Sequence, residues 1–167
     1  MHVVTPSNDI VSAGAQEAAA ALQRLLRVPV HADSVVALDT AQLGAAHGPR
    51  VVVIVFQASG GITGTLGLVI DDEAAAWLAG HLMGAVTLDG AIGKNALGAL
   101  AELGNIVASA FLNGAARVVG RTCLPSVPRV IHMSTTDALG AAVPAGTPLR
   151  VATLRAQGQW FNVLFTG

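Results

Sequence analysis

The sequence predicts an α+β domain of two pseudo-symmetric halves, each running helix, strand, hairpin, that share one mainly antiparallel sheet with long helices packed on it. Three observations predict it. Two Ala-rich stretches, Asp9 to about Arg27 and Lys94 to Val119, repeat apolar residues at helical spacing. Two β-branched runs interrupted by glycine, 51–70 and 149–167, have the composition of hairpins. A shift of the first helix by 93 residues places Asp9 on Glu102, Ser12 on Asn105 and Arg24 on Arg117.

The elements follow in order. Pro6 and Ser7 supply an entry and a cap for the first helix, whose apolar positions include Ile10, Ala18, Leu22 and Leu25. A strand is predicted from about Val28 to Leu38, and a Gly/Ala loop through "AQLGAAHGP". After the 51–70 hairpin, "DDEAAAWLAGHLMG" (71–84) reads as a linking helix whose acidic first turn suits the positive end of the helix dipole. "AVTLDGAIG" connects it to the long helix from about Lys94 to Val119. Thr122 to Met133 is strand-like, "STTDALGAAVPAGTP" reads as a loop, and "LRVATLRAQGQWFNVLFTG" closes the chain as a second hairpin. Gly60 then lies over Gly158 and Leu66 over Leu164, so the pseudo-repeat spans about 9–70 and 94–167 within a single domain, 1–167.

Composition narrows the classes of function. The chain has 167 residues, 53% hydrophobic and 11% charged, which excludes disorder and supports one well-buried core. Net charge is −1 with one lysine, Lys94, and no basic cluster, which argues against nucleic acid. Cys123 is the single cysteine, so no intramolecular disulfide forms; a reducing, cytoplasmic setting fits. The start "MHVVTPSNDIVSAG" lacks the basic and apolar regions of a signal peptide. Val51 to Ile70 is uncharged and long enough to span a bilayer, but its Gln, Ser, Gly and Thr centre reads as a hairpin turn, and no membrane span is expected. The five histidines show no HxH, HxxxH or HExxH spacing, so no metal site is expected. "SGGITGTLG" lacks the lysine and following helix of a phosphate loop. Cys123 lies in an apolar run as an inert thiol, and Trp77 and Trp160 read as core or interface anchors.

The long helix is where the sequence departs from mere packing. At about 100° per residue, Glu102, Asn105, Ser109, Asn113 and Ala116 share one face, opposite Leu100, Leu103, Val107, Phe111, Gly114 and Val118. One acid, uncharged amides and flanking Ile106 and Leu112 make a surface suited to another protein rather than to bulk water.

Within "ELGNIVASAFLNGAA", Glu102 is followed after two residues by Asn105 and, after a further 22, by Pro128. That spacing, with the two-half alternation of elements, resembles the CheC/CheX/FliY family of chemotaxis phosphatases. The family fills the position four before Glu102 with Asp or Ser; here it is Gly98, and the first half carries Asp9 and Ser12 in place of a second Glu and Asn. The resemblance therefore implies one intact site, as in CheX-like members. It implies hydrolysis of the aspartyl phosphate of a CheY-like response-regulator receiver domain. Asn105 would hold the attacking water and Glu102 would dock to the receiver's lysine, with Ser109, Asn113 and Ile106 rimming the contact. Mg²⁺ would come with the receiver, and this chain would bind no cofactor. A CheD-like deamidase is a further candidate partner, and a homodimer would form if "QWFNVLFTG" were an open edge strand. Two other readings stand beside this one. One is a non-catalytic interaction module akin to the flagellar switch proteins; the other is a small-ligand domain, which would need a pocket lined by the hairpins.

Overall fold

The computed structural model describes residues 6–84 and 92–167. Their order is α1 (Asn8–Leu26), β1 (His31–Ala32), β2 (Val36–Leu38), α2 (Thr40–Ala46), β3 (Arg50–Gly60), β4 (Gly64–Asp71) and α3 (Asp72–Met83), then α4 (Lys94–Val119), β5 (Cys123–Pro125), β6 (Arg129–Ser134), α5 (Thr135–Ala142), β7 (Leu149–Ala156) and β8 (Gln159–Thr166). Most of the expected connection "AVTLDGAIG" lies outside the described residues.

The α+β expectation holds, and the order of elements repeats more fully than the sequence suggested. Each half runs long helix, broken strand, short helix, hairpin. The strand expected over 28–38 is two short pieces, β1 and β2. The loop expected at "AQLGAAHGP" contains α2, because Asp39 and Gln42 form a reciprocal capping box: Gln42 N–H donates to Asp39 Oδ1 at 2.7 Å and Asp39 N–H to Gln42 Oε1 at 2.9 Å. The loop expected at "STTDALGAAVPAGTP" contains α5, capped by Ser134, whose Oγ accepts from Asp137 N–H.

All strand pairs are antiparallel, in the order β1-β7-β8-β4-β3-β5, with β2 beside β7 and β6 beside β3. Each half's broken strand thus pairs with the other half's hairpin. At the centre, Leu66 faces Phe165 and Gly67 faces Leu164. Because Leu66 and Gly67 correspond to Leu164 and Phe165, these two pairs exchange under the repeat, and a pseudo-two-fold passes between β4 and β8. The terminal "QWFNVLFTG" is therefore an interior strand, hydrogen-bonded on both sides, and offers no open edge for a homodimer.

Two cores flank the sheet. On one face α1, α3 and α4 close over Leu22, Phe56, Leu103, Phe111 and Phe165; on the other α2 and α5 cover Val53, Leu139 and Leu164 with Leu43. The burial of the two long helices repeats residue by residue at the 93-residue shift. Ile10, Val11, Gly14, Ala15, Ala18, Ala19, Ala21 and Leu22 are buried, and so are Leu103, Gly104, Val107, Ala108, Phe111, Leu112, Gly114 and Ala115. Fully burying each large apolar side chain contributes roughly 1.5–3 kcal/mol. By length and composition α4 could cross a membrane, yet its apolar side is spent on the sheet and on α1, as in the core helix of a soluble fold.

The helices meet at glycine. A Cβ on Gly114 would sit 2.4 Å from the Ala13 carbonyl oxygen, and one on Gly14 would sit 2.7 Å from the Phe111 ring. Gly98, near the start of α4, would meet nothing within 4 Å.

One polar network was not legible as chemistry in the sequence. The His47 side chain is fully buried, with Nδ1 2.8 Å from Asp71 Oδ1 and Nε2 2.6 Å from Asn162 Oδ1. Asn162 Nδ2 donates to Thr153 Oγ1, and the Trp160 ring lies against the imidazole. On the next residue, Asp72 accepts from His132 Nε2 at 3.0 Å. The two histidines tie the end of α2 and the middle of β6 to the β4–α3 junction. His47 is thus a structural residue, its side chain buried and hydrogen-bonded at both ring nitrogens.

Two predictions follow from this packing. Gly98→Ala stabilises the fold by about 1 kcal/mol through helix propensity alone, whereas Gly114→Ala destabilises it by about 1–3 kcal/mol despite the same propensity gain. Urea unfolding of both variants reads the difference, and equal shifts would rule out the close approach. His47→Ala, which strands Asp71 and Asn162 without their shared partner, lowers stability by about 2–3 kcal/mol in the same assay. A loss below about 0.5 kcal/mol, typical of a surface change, would show the network to be dispensable.

Candidate functional site

The outer face of α4 is built by its two fixed contacts. Gly104 faces the sheet: a Cβ there would lie 3.0 Å from Ile54 Cγ2 and 3.4 Å from Phe56 Cζ. Gly114 faces α1 through Ala13. With about 100° between successive residues, Glu102, Ser109 and Asn113 then point away from both supports, and Asn105 turns to the flank opposite α1. All four are exposed, and among the described residues their side chains take no intramolecular hydrogen bond or ion pair. Next to them Arg117 reaches back to α1, with Nη1 2.5 Å from Glu17 Oε1, and so joins the two helix surfaces at their rim.

The expected site residues divide clearly. Glu102, Asn105, Ser109, Asn113 and Ile106 share the open face, Ile106 being 41% exposed. Leu112, expected beside them, is fully buried in the main core, and Val118, expected on the packed side, is 49% exposed near the helix end. A helical wheel could not place these two, because α4 is flanked unequally, by α1 on one side and by the β5 edge on the other. Gly98 is exposed near the start of the same helix. Pro128 is not on the helix; it ends the bulge, 126–128, that breaks the edge strand into β5 and β6 beside β3. In α1 the corresponding Asp9 is exposed, but Ser12 is half-buried.

This arrangement limits the chemistry. An amide is no base at neutral pH, so Asn105 can hold a water or an anion by hydrogen bonds but cannot take its proton. Glu102 presents an exposed carboxylate that can pair with a cationic group. Both stand on a helix whose other side is locked into the core, so their positions are fixed before any partner arrives. No group of three His, Cys, Asp or Glu side chains that could hold a metal occurs among the described residues.

Comparison with known proteins identifies the fold. Residues 96–132 match the CheC-like family model. CheC1 of Halobacterium salinarum, a proposed CheY-P phosphatase, is 36% identical over 84 residues, covering 50% of this chain and 43% of that protein. The chain thus matches under half the length of that curated relative. FliY from Thermotoga maritima superposes with a TM-score of 0.77 at 19% identity, over 99% of this chain and 93% of that one. CheX in its complex with CheY, BeF3 and Mg²⁺ from Borrelia burgdorferi gives 0.70 at 16% identity, over 96% and 98%. The FliM middle domain of Vibrio alginolyticus gives 0.64 at 12% identity, over 95% and 90%. The chain therefore has the CheC-like fold and carries the family's sequence signature from Ala96 to His132, the segment that holds Glu102, Asn105 and Pro128.

Proposed function

We propose that this chain hydrolyses the aspartyl phosphate of a CheY-like receiver domain in the cytoplasm. The observation that carries the reading is the pair Glu102 and Asn105, exposed one turn apart on the open face of a helix fixed to the core and free of side-chain partners among the described residues. The likeness to a relative proposed as a CheY-P phosphatase and to a CheX that binds CheY supports it.

In such a reaction water attacks the phosphorus, and the bond between phosphorus and the aspartate oxygen breaks. The carboxylate leaves with the bonding pair, and the water's protons end on phosphate and solvent. A departing carboxylate needs no general acid, and in phosphoryl transfer positioning and charge stabilisation supply most of the rate. An amide that holds the water in line is then a sufficient contribution, and Asn105 has that reach from α4. Glu102 pairs with the receiver's lysine and sets the register of the docked domain. Ser109, Asn113 and Ile106 rim the contact. The receiver brings its own Mg²⁺, so this chain has none to hold.

A second reading, a binding module without hydrolysis, draws on Gly98 four residues before Glu102 and on Ser12 at the amide position of α1. Its fold is shared with the FliM middle domain.

Phosphate release from an acyl-phosphate-labelled CheY-type receiver separates the two. Asn105→Ala lowers the catalysed rate by about 10²-fold or more while the receiver still binds. Glu102→Lys removes binding and activity together. If wild type and both variants leave the spontaneous decay unchanged with several receivers, the α4 surface is a docking patch and the binding-module reading replaces the first.

A further inference from the structure

The turn that ends the sequence signature carries an observation the signature does not explain. Val127 is 86% exposed, the most exposed of the large apolar side chains among the described residues, and it sits between Ser126 and Pro128. A mobile loop would need no account of this, but the turn is held firmly. Gln57 N–H donates to Ser126 Oγ at 2.8 Å, and Ser126 N–H donates back to Gln57 O at 2.8 Å. Ser126 Oγ in turn donates to the Val127 carbonyl at 3.0 Å. Pro125 and Pro128 restrict the backbone on either side. A β-branched side chain with few rotamers is thus held out in water by a rigid mount.

Its place in the fold gives the mount a use. Gln57 follows Phe56, whose ring lies directly under Gly104 of α4. The turn therefore stands about one strand spacing, 4.8 Å, outside the strand that supports the middle of α4. Gly104 and Gly114 fix the rotation of α4, and Asn105 turns to the flank away from α1, which is the flank of the β5–β6 edge. Ile106 thus borders the polar stripe of α4 on one side, and the Ser126–Pro128 segment lies at the sheet edge on the opposite flank. A partner footprint of roughly 800 Å² is wide enough to cover both. In the other half Ala13 stands at the place of Ile106, and the exposed valine of the broken strand is Val36, at the start of β2.

We propose that the Ser126–Pro128 turn is a preformed docking knob, with Val127 as the apolar contact that extends receiver recognition from α4 to the sheet edge. This rests on the reading of α4 as the receiver-docking surface. It gives Pro128 a role in recognition: the proline restricts the backbone that carries Val127. The facing part of the receiver is an apolar patch next to its phosphorylated loop. A contact held rigid before binding loses little entropy when it is covered, so one side chain can matter measurably.

The test measures affinity for a CheY-type receiver loaded with beryllofluoride and Mg²⁺, and in parallel the dephosphorylation rate at saturating receiver. Val127→Asp weakens binding about tenfold, and Val127→Leu stays within about twofold of wild type, as expected for one well-placed apolar contact. Turnover at saturation is unchanged in both, and so is the melting temperature, since the side chain packs on nothing within the chain. Wild-type affinity in Val127→Asp overturns the inference while leaving the phosphatase reading intact. Loss of saturated turnover at unchanged affinity also overturns it, by assigning the turn to chemistry. If wild type binds no receiver, the reading of α4 fails first, and the knob falls with it.

Discussion

The close approach of α1 to α4 is the constraint on which the rest of the molecule depends. Gly114 leaves no room for a Cβ against the Ala13 carbonyl, and Gly14 leaves none against Phe111. With the two backbones that near, α4 cannot rotate about its axis without collision, and Gly104 resting on Ile54 and Phe56 fixes the same angle from below. The glycines cost helix propensity, about 1 kcal/mol each relative to alanine. What that cost secures is a defined direction for every side chain on the outer face, including the exposed acid Glu102 and amide Asn105.

The sheet enforces the arrangement from the other side. Because β4 and β8 pair about a local two-fold, each half's hairpin lies beside its counterpart and receives the broken strand of the other half. Neither half can bury its apolar face alone. Removing one would expose the hairpin of the other along its length, so the two halves form one cooperative unit. The buried His47–Asp71–Asn162 network sits within this closure, where α2, the end of β4 and β8 meet.

How much of this was legible in the sequence depended on the length of the signal. The long helices and both hairpins carry many residues in one period, and the 93-residue register seen at Asp9, Ser12 and Arg24 reappears as an identical order of buried positions from Ile10 to Leu22 and from Leu103 to Ala115. The short helices α2 and α5 were read as loops because Ala, Gly and Thr dominate them, with one core leucine each, Leu43 and Leu139. The capping pairs Asp39–Gln42 and Ser134–Asp137 were the available signal. The polar stripe of α4 was legible because exposure on an amphipathic helix follows from spacing. Leu112 was not, since its burial is set by which neighbours flank the helix, and a wheel contains no neighbours. His47 and Val127 were invisible for the same reason: their meaning comes from Asn162, 115 residues away, and from Gln57, 69 residues before Ser126.

A two-fold scaffold offers two equivalent helix faces, so the way the symmetry is broken says where function resides. In α1 the place of Asn105 is taken by Ser12, half-buried, and the place of Ile106 by Ala13, whose carbonyl is the floor against which Gly114 packs. The packing itself is unequal, since Gly14 of α1 leaves the room that the Phe111 ring of α4 occupies. The two helices therefore cannot present identical faces: α1 supplies the support, and α4, with its acid, its amide and the exposed Ile106, supplies the surface.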